Sequence, residues 1–128
     1  MRWVADASVT VAYLLGEGSD AERRAMLGDV HAPALMDVEV TQTLRGLLRA
    51  AKIDLRAAER GRDELAQLSV WRHPDAHLLG RCWELREVCT TFDALYVALA
   101  EALDATLVTR DVRLARGVGA VVDVVAPD

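Results

Sequence analysis

Several residue types are scarce in this chain of 128 residues, which has 2 cysteines, 3 prolines, one phenylalanine and a single lysine, Lys52. Cys82 and Cys89 lie seven positions apart in a segment that reads as helix, where a rise of ~1.5 Å per residue separates them by about 10 Å. A disulfide needs Cα atoms within ~7 Å, so two reduced thiols are expected. The 3 Pro and 8 Gly, set against 52% hydrophobic residues, exclude fibrous, low-complexity and disordered classes. Long apolar runs are missing too. The longest, Ala94 to Ala100, is closed by Asp93 and Glu101, far short of the ~18 residues of a membrane span. Asp6 arrives before any apolar leader can form, so a cytoplasmic protein with no membrane association is expected. Neither a phosphate-binding loop ending in Gly-Lys-Ser/Thr nor a Gly-x-Ser-x-Gly elbow occurs, and NTPase and serine hydrolase chemistry lose their central groups.

Acid is what the chain has in excess: 20 Asp and Glu against 15 Lys and Arg, a net charge of −5. Such a chain repels nucleic acid as a whole, yet acids gathered at one point can hold a metal ion that itself binds phosphate. Where the carboxylates fall therefore decides the reading. The length predicts one domain over residues 1–128. Arg2 to Ala5 reads as a buried strand ending on Asp6, with Ser8 as N-cap of a helix through Val9 to Leu15. Ser19 to Glu22 has capping-box spacing. Val30 to Pro33 reads as a strand, followed by a long helix with apolar Leu35, Val38, Leu44, Leu47 and Leu48, on which Glu39 falls beside Val38. Asp54 caps a further helix, and Asp75 starts another. Val88 to Thr91 reads as extended, Ala94 to Leu103 as a central helix apolar nearly all round, and Leu107 to Thr109 and Ala120 to Val125 as strands. Strands alternating with helices predict an α/β fold with a mainly parallel sheet, whose site lies at the carboxyl edge.

Four acids share a placement: Asp6 and Asp111 directly after strands, Glu39 and Asp93 on early turns of helices. Their separations are too long for a local loop site, so the fold has to assemble them. Each Asp alone also fits a helix cap. A carboxylate on the apolar side of a helix, as Glu39 is read, is costly to bury unless paired or bound to metal. Four clustered carboxylates repel unless a divalent cation offsets them, and an all-oxygen site suits Mg²⁺ or Mn²⁺.

Val4-Ala5-Asp6-Ala7-Ser8, Pro33-Ala34-Leu35 leading to Glu39, Thr91 to Ala100 around Asp93, and Thr109-Arg110-Asp111-Val112-Arg113-Leu114-Ala115 together resemble the PIN-domain nucleases. Within them the chain resembles VapC-type ribonuclease toxins of bacterial toxin–antitoxin pairs. The resemblance implies a three-layer fold, a central sheet flanked by helices, with Asp6, Glu39, Asp93 and Asp111 as the catalytic, magnesium-binding quartet and Ser8 and Thr109 as supporting polar residues. It further implies metal-dependent hydrolysis of RNA, a homodimer, and a cognate VapB-type antitoxin that covers the site. Between Ala50 and Val88 it rests on length and helicity alone.

Two arginine patterns fit an RNA substrate. Arg45, Arg49, Lys52, Arg56 and Arg60 form one helical stripe if the break at Asp54 is gentle. Arg110, Arg113 and Arg116 surround Asp111 as candidate phosphate contacts. Two other readings compete with cleavage. A phosphoacceptor receiver domain matches in length and α/β order, but it needs a lysine after the last core strand, and Lys52 lies in a helical region. A PIN-like module that binds RNA or protein without cutting has no need of four clustered acids. His73 and His77 are spaced for zinc, but Pro74 intervenes and no third ligand is evident.

Overall fold

A computed structural model describes residues 1–126. The elements run β1 (Arg2–Ala5), α1 (Ala7–Leu14), α2 (Asp20–Met26), β2 (Asp29–Pro33), α3 (Leu35–Arg49), α4 (Leu55–Gln67), β3 (Trp71–His73), a 3-10 turn (Ala76–Leu78) leading into α5 (Leu79–Glu84), α6 (Thr91–Leu103), β4 (Thr106–Val108), α7 (Val112–Val118) and β5 (Val124–Val125). All the strands pair in parallel, in the order β3-β2-β1-β4-β5. Parallel neighbours need long crossovers, and the helices supply them.

Successive side chains of a strand face opposite ways, so a central strand feeds two cores. Val4 and Leu107 join the larger core with the whole buried run Ala94 to Ala100 of α6. Trp3, Ala5, Val30 and Val108 instead meet Ala25 and Met26 of α2. Helices thus cover both faces, giving the three-layer α/β architecture expected. The chain winds from β1 outward through β2 and β3, then returns to β4 on the other side of β1. Connections diverge between β1 and β4, and at such a switch point the carboxyl ends of the strands leave a crevice.

Several local expectations change. Asp6, not Ser8, is the N-cap of α1, its carboxylate accepting from the Val9 N–H at 3.1 Å. Val88 to Thr91 is not a strand: Val88 and Cys89 lie in the turns after α5, Thr91 already opens α6, and the Thr90 hydroxyl caps that helix through the Asp93 N–H at 3.2 Å. The last strand holds only Val124 and Val125. On α3 the buried positions are Met36, Val40 and Leu44, whereas Val38 is 66% exposed.

The basic stripe is also broken. α3 ends in a Schellman turn, with the Lys52 N–H bonded to the Leu47 carbonyl at 2.9 Å and the Ala51 N–H to that of Leu48 at 3.0 Å. Ala51 takes a left-handed φ of 57° to do so. The chain reverses there and α4 packs back on α3, so Arg45 and Arg49 do not continue into Arg56 and Arg60.

Candidate active site

Asp6 sits where β1 ends, and its N–H extends the ladder by donating to the Val108 carbonyl at 3.1 Å. That bond lies at the switch point. The Asp6 carboxylate is 7% exposed and fully engaged. Its Oδ1 accepts from the Ser8 hydroxyl at 2.5 Å as well as from Val9, and its Oδ2 accepts from the Thr109 hydroxyl. Thr109, 1% exposed, in turn accepts from the Asp111 N–H at 3.0 Å. Asp111 caps α7, its Oδ1 accepting from the Leu114 N–H at 3.1 Å. Asp6 and Asp111 are both helix caps, and capping takes one carboxylate oxygen and leaves lone pairs on the other for a ligand.

Glu39 is half-buried one turn into α3, beside Met36 and Val40. Its Oε1 accepts a 2.6 Å bond from the hydroxyl of Tyr96, which is 1% exposed. Tyr96 lies one turn beyond Asp93 on α6, on the same face. It was read only as part of an apolar helix, although a buried phenol needs a partner and the i, i+3 offset from Asp93 points it to the same place.

Charge ties the four acids together. Burial raises the Asp6 carboxyl above the ordinary range; bonds from Ser8, Thr109 and Val9 lower it, and the Asp93 charge raises it further. Burial likewise raises Glu39, opposed by the Tyr96 bond and reinforced by the charges of Asp93 and Asp6. Asp93 is raised by burial, with Thr90 lowering it and the Asp111 charge adding to the rise. Among the described residues none of the four takes part in an ion pair. No three acids, histidines or cysteines among the described residues are grouped closely enough to hold a metal ion as they stand. Carboxylate oxygens of this kind, those of Asp6, Glu39 and Asp93 with raised pKa values and without an ion-pair partner among the described residues, suit a hard divalent cation, which both bonds to carboxylates and offsets their charge.

The arginines divide. Arg110 is committed elsewhere: Nε and Nη2 grip Glu22 at 2.7 and 2.8 Å, and Nη2 also reaches the Glu17 carbonyl at 3.0 Å. As a candidate phosphate contact it is thus already engaged by a carboxylate. Arg113 and Arg116 are exposed on α7, and neither forms an ion pair with any described residue.

The model of the PIN domain family matches residues 4–119. The chain belongs to the PIN-domain family. This PIN domain is 39% identical to Ribonuclease VapC9 of Mycobacterium tuberculosis over 87% of each chain. It is 40% identical to Ribonuclease VapC1 of the same species, over 91% of this chain and 90% of that one. Among solved structures, the crystal structure of VapBC2 from Rickettsia felis bound to a DNA fragment from their promoter matches all of both chains with a TM-score of 0.67 and 14% identity, a likeness of fold.

Proposed function

We propose that this single PIN domain is a divalent-metal-dependent endoribonuclease, the toxin of a type II toxin–antitoxin pair. The observation that carries the reading is the set of four carboxylates around the switch point, linked by mutual repulsion and without an ion pair among the described residues. The relatives named as ribonucleases, similar over most of their length, support it.

Asp6, Glu39, Asp93 and Asp111 would hold Mg²⁺ or Mn²⁺. When bound, such an ion lowers the pKa of a coordinated water and offsets charge on a phosphodiester, so no histidine base is needed. Ser8 and Thr109 fix both oxygens of Asp6, and Tyr96 fixes one oxygen of Glu39, so these two carboxylates are oriented before substrate arrives. Arg113 and Arg116 supply positive charge on the helix that Asp111 caps, where an RNA backbone would run. A VapB-type antitoxin and a second copy of the chain are the partners. Val38, Trp83 and Phe92, exposed by 66%, 68% and 59%, offer apolar area for them, and Phe92 adjoins Asp93, so a partner covering it would lie over the acids.

Purified protein incubated with mixed RNA should cleave it in Mg²⁺ and not in EDTA. Asp93→Asn should lower the rate by about 100-fold or more. Equal cleavage in all three samples would sink the metal-dependent reading.

A further inference from the structure

Outside the quartet, one buried carboxylate is held far more firmly than its local duty requires. Glu22 completes a capping box, its Oε1 accepting from the Ser19 N–H at 2.7 Å while its own N–H donates to the Ser19 hydroxyl at 3.2 Å. A capping glutamate can do this from the surface. Here the side chain is 8% exposed and also takes the two-pronged grip of Arg110, whose partner lies 88 positions away in sequence. The hydrogen bond from Arg110 holds the Glu22 carboxyl below its ordinary range, with the Ser19 N–H and the Arg110 charge adding to it against burial.

The segment that Arg110 anchors carries three bonds into the site. The Arg110 N–H donates to the Ser8 hydroxyl at 3.2 Å, and Ser8 donates to Asp6 Oδ1. Thr109 donates to Asp6 Oδ2. Asp111 donates its N–H to Thr109 at 3.0 Å. On the outer side this segment borders an open cavity of about 540 Å³, lined also by Ser19, Ala21 and Val125. Apolar packing therefore does not hold that side in place. Besides the bond from the Thr109 N–H to the Val125 carbonyl at 3.1 Å, the anchor on that side is Glu22, fixed on α2, whose Ala25 and Met26 are buried against β1 and β2.

We propose that Glu22 and Arg110 are positioning residues, a clamp from α2 that sets the 109–111 segment and through it the carboxylates of Asp6 and Asp111. The proposal rests on the nuclease reading of those acids. Arg110, the arginine next to Asp111 in sequence, thus acts on the site through its backbone and its salt bridge rather than through substrate phosphate.

The test is Mn²⁺ binding by calorimetry, well below the unfolding temperature, with amide hydrogen exchange and Tm on the same samples. Arg110→Met and Glu22→Gln should weaken Mn²⁺ binding about tenfold, the lower end of the usual effect of residues that orient metal ligands. They should also speed exchange at Thr109 and Asp111. Arg110→Lys, which keeps charge without the fork, should fall between them and the unsubstituted chain. Ser19→Ala, which removes the cap hydroxyl and keeps the clamp, should lower Tm and leave Mn²⁺ affinity unchanged. Unchanged affinity in Arg110→Met and Glu22→Gln, or an equal loss in Ser19→Ala, overturns the clamp alone. Absence of Mn²⁺ binding by the unsubstituted chain overturns the nuclease reading and the clamp with it.

Discussion

At the residue scale, the site is built by giving single groups two duties. Asp6 follows a strand, caps a helix and feels the charge of Asp93. Tyr96 fills the core with its ring while its hydroxyl steadies Glu39. Tyr96→Phe removes a bond that lowers the Glu39 pKa, so Glu39 should titrate still higher. The acid limb of the pH–rate profile should then move up, and stability in urea should fall by about 1.5–3 kcal/mol, the usual worth of a bond to a charged group. An unmoved profile would show that Glu39 is not among the groups that set the rate. The placement of Asp6 and Asp111 after strands and of Glu39 and Asp93 on early helical turns was legible, because strand ends and first helical turns can be found from hydrophobic patterning. Tyr96 was not, because a tyrosine inside a buried apolar run reads as packing. The pairing of Arg110 with Glu22 is not legible, because the two lie 88 positions apart in sequence.

Elements with a strong hydrophobic period were equally legible: β1, the Ser19 capping box and α6 fall where the pattern sets them. β3 was missed. Trp71, Arg72 and His73 show no apolar alternation, and polar bonds hold the strand. Arg72 pairs with Asp37 at 2.8 Å, and the His73 ring meets His31 at 2.9 Å, which in turn meets Asp29 at 2.8 Å. Such partners exist only once β2 and α3 are in place. The reversal between α3 and α4 was hidden for a different reason. α1 closes its Schellman turn with Gly16, at φ 74°, and α3 closes the same turn with an alanine. A side chain at Ala51 costs ~1–2 kcal/mol in that conformation. Ala51→Gly should therefore stabilise the chain by about 0.5–1 kcal/mol after the added freedom of the unfolded state is counted. Thermal melting should show a rise of about 2–5 °C, and a fall would mean that the turn is not strained.

For the whole molecule, the net charge of −5 loses its force against an RNA substrate once the four site acids are set aside, leaving 16 acids against 15 bases. Their burial has a cost that pH reveals. Asp6, Glu39 and Asp93 have raised pKa values, so above the ordinary carboxylate range near pH ~4 the folded chain binds more protons than the unfolded one. In EDTA, stability should fall as pH rises through that window and level off beyond the raised values. Glu22 acts in the other direction: its lowered pKa contributes stability that is complete above the ordinary glutamate value and lost as pH falls below it. Tm measured against pH should therefore peak in mild acid without metal, and Mg²⁺ at 100 times its Kd should add about 2.7 kcal/mol at neutral pH. A flat profile in EDTA would show that the acids are not coupled through burial. One bond described above also sets a timetable. Asp6 meets Thr109 across 103 positions, and a ribosome makes the chain from the Asp6 end. During most of translation β1 has no β4 beside it, and the acids ride on elements that do not yet share an edge. The four carboxylates can share an edge only after residues 106–111 have emerged, so the order of synthesis makes the proposed site a late product of folding.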